Sequence, residues 1–186
     1  MKIAVLAVQG AFVEHERMLE HIGAEYVELR KKEDLLIEYD GLVLPGGEST
    51  VQGKMLYELD MFDTLHRQIS EGLPVLATCA GLILLADRIS NDDKSYFRTL
   101  PVTVRRNAYG RQLGSFFVTG HIAGIGSFPM EFIRAPYIEN AGKGVEILSE
   151  VDGNIVAVKY KNQLGMAFHP ELCGDTRIHE KFISMI

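Results

Sequence analysis

Residues 73–86 read Leu73-Pro74-Val75-Leu76-Ala77-Thr78-Cys79-Ala80-Gly81-Leu82-Ile83-Leu84-Leu85-Ala86. A short apolar strand here meets an apolar helix, and the junction holds one cysteine, Cys79, among small residues. This pattern is typical of a nucleophile elbow, a sharp turn at which Ala77, Ala80 and Gly81 leave room for a close approach of strand and helix. Free N–H groups at the helix start favour a thiolate, so Cys79 is a candidate nucleophile. The alternative is that Cys79 is only a small buried hydrophobic residue.

The rest of the chain has the periodicity of an α/β protein. Short apolar runs rich in β-branched residues predict buried parallel strands at 3–8, 26–29, 42–44 and 75–77. Apolar residues at helical spacing predict crossover helices at 13–22 and 61–69. Beyond about residue 100, shorter segments predict strands at 102–104, 115–118, 145–148, 155–159 and 164–167. Hairpin turns are predicted at 150–154 and 161–163, and a closing helix at 176–186.

Composition narrows the class of protein. With 186 residues and 47% hydrophobic content, the chain is predicted to form a single domain over 1–186. The net charge of -6 and the absence of a Lys/Arg run argue against nucleic acid or a membrane surface as a partner. The apolar stretch 3–8 is too short for a signal-peptide core or a membrane span, which favours a cytoplasmic location. Cys79 and Cys173 are then expected to stay reduced, without a disulfide.

A second informative segment, 164–171, reads Leu164-Gly165-Met166-Ala167-Phe168-His169-Pro170-Glu171. His169 ends an apolar strand, and period-two geometry is expected to keep Glu171 on the same side. His169 can act as general base and acid, while Glu171 fixes its tautomer and stabilises the imidazolium. Alone, His169 would be interpreted as a surface residue and Pro170 as a strand terminator. Together with Cys79, the pattern predicts a Cys-His-Glu triad.

The third segment, 41–50, is a buried strand that runs into a glycine pair and then a helix, with an N-cap predicted at Ser49 or Thr50. Backbone at a glycine pair can approach a ligand closely. The N–H groups of Gly47 and Ala80 are therefore predicted to form an oxyanion hole for acyl transfer. No lysine follows the glycines as in a P-loop, which disfavours phosphate binding, and a simple tight turn is the remaining alternative.

In these motifs the chain resembles the class I, triad-type glutamine amidotransferases: Thr-Cys-Ala-Gly around Cys79, Pro45-Gly46-Gly47-Glu48-Ser49 and His169-Pro170-Glu171. Within that class it is most similar to the glutaminase subunits of pyridoxal 5'-phosphate synthase. The segments that carry this similarity are 5–11 (VLAVQGA), 45–50 (PGGEST), 106–112 (RNAYGRQ), 132–136 (FIRAP) and 168–172 (FHPEL). They span nearly the whole chain in the same order.

The resemblance implies a three-layer, flavodoxin-like α/β fold with a mixed, mainly parallel central sheet. It implies hydrolysis of L-glutamine to L-glutamate and ammonia, without a cofactor in this chain. It also implies delivery of the ammonia to the synthase subunit that builds pyridoxal 5'-phosphate, within a large hetero-oligomer. Contacts to glutamine are implied for Gly47, Glu48, Ser49, Arg106, Ile133 and Arg134. From the residues alone, the two arginines would be ordinary surface charges, although guanidinium groups suit carboxylates and ion pairs that hold loops.

Three other functions are compatible with parts of the sequence. The chain could be a glutaminase that serves another biosynthetic partner, or a cysteine hydrolase of the PfpI-like peptidase type. Those peptidases usually carry His directly after the nucleophile, where this chain has Ala80. A regulatory subunit that binds glutamine without turnover is the non-enzymatic alternative. No metal site is predicted, because the remaining candidate ligands lack paired spacing and are interpreted as structural or solvated: His15, His21, His66, His121, His179 and Cys173.

Overall fold

The computed structural model describes residues 1–108 and 114–186. The strands in these ranges are β1 (Lys2–Leu6), β2 (Glu25–Leu29), β3 (Gly41–Leu44), β4 (Val75–Thr78), β5 (Ala86–Ile89), β6 (Leu100–Arg105), β7 (Ser115–Ile122), β8 (Gly126–Ile133), β9 (Tyr137–Ala141), β10 (Glu146–Val151), β11 (Asn154–Tyr160) and β12 (Gln163–Met166). The helices are α1 (Phe12–His21), α2 (Ser49–Glu58), α3 (Phe62–Ser70), α4 (Ala80–Leu85) and α5 (Arg177–Ile183), with 3₁₀ turns at Lys32–Leu36 and Pro170–Leu172.

The main sheet has the strand order β2-β1-β3-β4-β12-β11-β9-β6-β5, with β10 paired to β11. The pairs from β2 through β12 are parallel, and β11 and β9 run antiparallel to their neighbours. In the sheet, β2 lies on one side of β1, whereas β4 lies on the opposite side of β3, so the two connections run in opposite directions across the sheet. Because parallel crossovers are right-handed, α1 lies on one face of the sheet and α2 with α3 on the other. The predicted mixed, three-layer arrangement is confirmed.

The parallel half of the sheet is the centre of the core. All residues of β3 and β4 are buried, as are Ile3 to Leu6 of β1. Such strands are apolar on both faces because helices cover both faces. Each buried Leu, Ile or Val side chain contributes roughly 1.5–3 kcal/mol through removal from water. This packing holds the ends of β3, β4 and β12 side by side, with Leu44 paired to Ala77 and Ala77 to Gly165.

Most elements predicted from periodicity are confirmed, with ends shifted by a few residues. The hairpin at 150–154 turns through Asp152 and Gly153, both at positive φ, and the one at 161–163 turns through Lys161 at φ 51°. The predicted N-cap of α2 at Ser49 or Thr50 is wrong. The N-cap is Glu48, which has extended backbone and no capping side-chain hydrogen bond.

Three strands were not predicted from the sequence: β5, β8 and β9. β8 reads GSFPMEFI, in which Gly126 and Pro129 are residues that normally argue against a strand. Within the described residues it pairs only with β7, as an antiparallel two-stranded sheet in which Pro129 lies opposite Thr119. Proline is tolerated at such an edge because no further strand needs its missing N–H. β8 ends at Ile133, whose carbonyl oxygen lies 4.0 Å from Sγ of Cys79.

Candidate active site

Cys79 occupies the turn between β4 and α4 and has a strained backbone, with φ 47° and ψ −98°. A non-glycine residue in such a region costs about 1–3 kcal/mol, which the surrounding structure must offset. The Cys79 N–H donates to the carbonyl of Met166 at 2.8 Å, so β12 holds the turn in place. A Cβ on Gly81 would lie 2.1 Å from the Leu44 carbonyl oxygen, so α4 packs directly on β3. The strand, sharp turn and helix predicted for an elbow are all present.

His169 and Glu171 form a buried pair beside this turn. Nδ1 of His169 lies 2.7 Å from Oε1 of Glu171. The backbone N–H of His169 donates to the carbonyl of Glu131 in β8 at 2.8 Å, which fixes the position of the ring. The period-two explanation for the pairing is wrong, because β12 ends at Met166 and Glu171 lies in a 3₁₀ turn. The turn, with Pro170 at its first position, folds the carboxylate back onto the ring.

The electrostatics of this pair favour an imidazolium next to a carboxylate. Burial lowers the pKa of His169, but hydrogen bonds to Cys79 and Glu171 outweigh burial and raise the pKa to about 10. Burial raises the pKa of Glu171, but His15 and His169 outweigh it and hold that pKa below its ordinary value. The histidine therefore carries a proton near neutral pH and faces the sulfur of Cys79.

The two predicted oxyanion-hole donors lie on the elbow and on the glycine loop. Ala80 is the first residue of α4, where backbone N–H groups have no partner within the helix. In the loop, the Gly46 carbonyl accepts from the Ala11 N–H at 2.9 Å. Because the peptide is trans, the Gly47 N–H points away from Ala11. A Cβ on Gly46 would lie 2.3 Å from Cε1 of His169, so this backbone packs against the ring.

A cavity of about 180 Å³ opens above Cys79. It brings together Cys79, His169 and all six residues predicted to contact glutamine, together with residues that were not predicted as ligands. Its lining consists of Gln9, Gly47, Glu48, Ser49, Cys79, Ile83, Arg106, Asn107, Ile133, Arg134 and His169. Glu171 is shielded from this cavity behind the ring of His169, and Ala80 is buried beside Cys79.

The charged groups around the cavity differ in how they are held. Arg106 bridges two carboxylates, with Nη1 2.7 Å from Oδ2 of Asp92 and Nη2 3.1 Å from Oε1 of Glu48. Arg134 directly follows β8 at φ 44°, and no carboxylate in residues 1–108 or 114–186 forms an ion pair with it. Among the described residues, the cavity thus presents one cation without an ion pair, Arg134, and one carboxylate, Glu48, a combination that suits an amino acid. Residues 109–112 of the predicted 106–112 motif lie outside the described residues.

Residues 5–186 match the family model described as SNO glutamine amidotransferase. The chain belongs to the SNO glutamine amidotransferase family. The chain is 61% identical over its full length to the pyridoxal 5'-phosphate synthase subunit PdxT of Desulfitobacterium hafniense strain Y51, covering 94% of that protein. It is 54% identical to the PdxT subunit of Methanocorpusculum labreanum, covering all of this chain and 98% of the relative. The predicted resemblance to glutaminase subunits of this synthase is confirmed.

Solved structures agree with this family. A crystal structure of a glutamine amidotransferase, 40% identical, superposes with a TM-score of 0.93 over 98% of this chain and 97% of that chain. A glutamine amidotransferase from Thermotoga maritima, 17% identical, shares the fold with a TM-score of 0.66, covering 99% of this chain and 83% of that one. The flavodoxin-like fold predicted from the sequence is confirmed. As a member of the SNO family, the chain is a glutamine amidotransferase, an amide hydrolase.

Sequence reasoning missed several residues around this SNO-family site. Ile83 and Asn107 line the cavity, and Asp92 holds Arg106. His15 and His179, interpreted as structural or solvated, are both fully buried on the far side of Glu171. A signal existed for His15, because it lies three residues before Met18 on the apolar stripe of α1.

Two further features of the SNO-family chain concern metals and membranes. Across the described ranges, the His, Cys, Asp and Glu side chains contain no cluster of three or more suited to a metal ion. Both cysteines are free thiols. None of the helices in those ranges combines the length and the apolar character that crossing a membrane requires.

Proposed function

We propose that this chain, as a single domain over 1–186, hydrolyses L-glutamine to L-glutamate and ammonia with Cys79, His169 and Glu171 as its catalytic triad. The observation that carries the proposal is the strained Cys79 turn, which lies on the lining of a cavity together with His169 of the buried His169–Glu171 pair. This combination is typical of an activated sulfur nucleophile. Membership of the glutamine amidotransferase family indicates that the substrate is glutamine.

In the first half of the reaction, the Cys79 thiolate attacks the side-chain amide carbon of glutamine. The N–H groups of Gly47 and Ala80 donate to the oxyanion that forms. His169 gives its Nε2 proton to the amide nitrogen, the C–N bond breaks, and ammonia leaves. A glutamyl thioester on Cys79 remains, while Glu171 holds the ring through Nδ1 throughout.

In the second half, His169 takes a proton from water, and the resulting hydroxide attacks the thioester carbon. The same two N–H groups stabilise the second oxyanion. Collapse breaks the C–S bond and releases glutamate. The sulfur leaves as a thiolate beside the imidazolium, and the raised pKa of His169, about 10, favours the protonated ring at this point of the cycle.

Substrate recognition is assigned to the charged rim of the cavity. Arg134, free of ion pairs within the described residues, would bind the α-carboxylate of glutamine, and Glu48 would bind its ammonium group. Arg106 holds Glu48 through its ion pair and so orients that carboxylate. Gly47, Ser49 and Ile133 complete the contacts along the side chain.

The ammonia is proposed to pass to a pyridoxal 5'-phosphate synthase subunit in a large hetero-oligomer. This is supported by full-length relatives named as PdxT subunits of that synthase. No cofactor is assigned to this chain. A cytoplasmic location is proposed as well, because a catalytic thiol must stay reduced.

The test is ammonia release from glutamine by the chain with its cognate synthase subunit, using Cys79→Ser and Cys79→Ala. Both variants should lose turnover while keeping the fold and synthase binding, since the turn accepts a small side chain. Circular dichroism and co-purification provide the controls. Full turnover in a folded Cys79→Ala variant would remove Cys79 as the nucleophile and favour a subunit that only binds glutamine. Turnover of peptides instead of glutamine would favour a peptidase.

A further inference from the structure

Behind the triad, on the side away from the cavity, Glu171 faces a buried group of polar side chains contributed by three elements. These are His15 of α1, Thr78 of β4 and His179 of α5, all fully buried. Nε2 of His15 lies 3.4 Å from Oε2 of Glu171 and 3.1 Å from Oγ1 of Thr78. Its Nδ1 lies 2.9 Å from Nε2 of His179. The proposed reaction assigns no role to any of these three residues.

The two oxygens of Glu171 have different surroundings. Oε1 accepts from His169 at 2.7 Å, whereas Oε2 is buried and has no hydrogen-bond partner among the described residues. A buried charged oxygen without a donor is costly, so whatever lies nearest to Oε2 governs the free energy of the carboxylate. In the described part of the chain, the neighbour at ion-pair distance is Nε2 of His15.

The hydrogen-bond chain settles which His15 nitrogen carries the hydrogen. Were Nδ1 of His15 the donor, Nε2 would direct a lone pair at the Glu171 carboxylate, and Nδ1–H of His179 would become a buried donor without a partner. Buried orphan N–H groups are rare. With the hydrogen on Nε2 of His15, that N–H donates to Oγ1 of Thr78 and lies 3.4 Å from Oε2 of Glu171. His179 then donates through Nε2 to Nδ1 of His15. At Glu171 and at His179 alike, the contacts favour this second arrangement of hydrogens.

We propose that His15 is a positioning residue for glutamine hydrolysis: its neutral ring, oriented by His179 and Thr78, presents Nε2–H to Oε2 of Glu171 and keeps Oε1 on Nδ1 of His169. The proposal rests on the proposed function, because it acts through the triad. Charged or titratable groups that face Glu171 or His15 from the packed elements are Glu14, Cys173, His169 and His179. Burial keeps His15 and His179 neutral, since it lowers both of their pKa values.

The matched variants are His15→Gln and His15→Asn. The amide nitrogen of Gln reaches the position of Nε2 and can donate to Glu171, whereas the shorter Asn reaches only the position of Nδ1 and can accept from His179. A positioning role predicts that His15→Gln retains kcat and that His15→Asn does not. If His15 serves instead only to fill space or to accept a hydrogen bond from His179, then His15→Asn should retain kcat and His15→Gln should not.

In steady-state assays with the synthase subunit, we expect His15→Asn to lower kcat roughly tenfold, the scale on which outer-shell partners act. KM for glutamine should stay unchanged, because His15 lies on the far side of Glu171 from the cavity. The acid limb of the kcat profile should move up by about one pH unit as Glu171 loses the nearby N–H dipole of His15, which favours its charged form. His15→Gln should retain kcat and the acid limb. Equal kcat in both variants, or rescue by Asn alone, would overturn the proposal.

Two measurements on the intact protein do not depend on turnover or on the folding of a variant. Nitrogen-15 NMR of the histidines should show His15 protonated at Nε2 and bare at Nδ1, and the opposite tautomer overturns the proposal. The Nδ1–H proton of His169 should resonate far downfield, and it should shift upfield in His15→Asn but not in His15→Gln. If the wild-type complex releases no ammonia, the proposed function fails while these spectra still decide the role of His15.

Discussion

At the level of single side chains, the members of the triad differ in what they exchange with the substrate. His169 both gives and takes a proton, whereas Glu171 only orients the ring and stabilises its charge. We expect Glu171→Gln to reduce glutamine turnover less than His169→Asn does. Steady-state kcat of the two variants with the synthase subunit measures this order. Unchanged activity in Glu171→Gln would show that the buried carboxylate is dispensable for the reaction.

The pKa of His169 also has a consequence for stability. Because the pKa is about 10 in the folded chain against 6.5 for an ordinary histidine, the folded state binds this proton more tightly. The stabilisation is therefore complete below about pH 6.5 and is lost as the pH rises toward 10. We expect the midpoint of urea unfolding to fall across this window more steeply in the wild type than in Cys79→Ala, which lacks the sulfur that bonds His169. Parallel curves would contradict the prediction.

At the level of elements, the contact between α4 and β3 sets the angle of the elbow. A Cβ at Gly81 would lie 2.1 Å from the Leu44 carbonyl oxygen and 2.8 Å from its carbonyl carbon, both backbone atoms. Alanine favours helix over glycine by up to about 1 kcal/mol, but overpacking in a filled core costs about 1–3 kcal/mol. We expect Gly81→Ala to be destabilised and to lose kcat as α4 moves off the strand.

The matched control is Gly165→Ala in β12. The added Cβ there would meet the ends of flexible side chains, with Cδ1 of Leu82 nearest at 2.8 Å. These side chains can rotate away, so the loss in the free energy of unfolding and in kcat should be smaller than for Gly81→Ala. Urea unfolding and glutamine assays of the two variants provide the comparison. A larger loss in Gly165→Ala would mean that the α4–β3 contact does not set the elbow.

At the level of the whole molecule, we expect the isolated chain to hydrolyse glutamine slowly and its synthase partner to activate it by completing the oxyanion hole. The glycine loop permits a change of peptide plane, and Gln9 is placed to guide it, since its Oε1 accepts from the Glu48 N–H at 2.8 Å. Coupling between two sites commonly amounts to about 5- to 150-fold. The alternative is a rigid loop in which Gln9 only tethers neighbouring segments.

Assays of the free chain and the complex, repeated with Gln9→Ala, separate these alternatives. Gln9→Ala should reduce activation by the partner, whereas the control Gln68→Ala should not, because that amide bonds Tyr39 away from the cavity. Equal turnover with and without the partner would reject activation and leave the triad intact.

The sequence by itself determined the parts of this protein that depend on local patterns. Buried strands follow from short continuous apolar runs, crossover helices from a period of 3.6, and the Cys79 turn from small residues at a strand–helix junction. Similarity over the full chain determined the family and the residues around the cavity. β8 was not predicted because its Gly126 and Pro129 contradict strand propensity. It is stabilised by pairing with β7 and by burial of Phe128, Met130 and Phe132, which depend on the tertiary structure.

Only the tertiary structure decided which distant polar groups meet. Asp92 pairs with Arg106, and the group behind Glu171 joins His15 to His179 across 164 residues of sequence. A residue on an apolar stripe signals burial, but its partner depends on how helices on one face of the sheet pack against each other. Burial increases the free energy that each such contact contributes, because an unpaired polar group is far less stable in the core than in water.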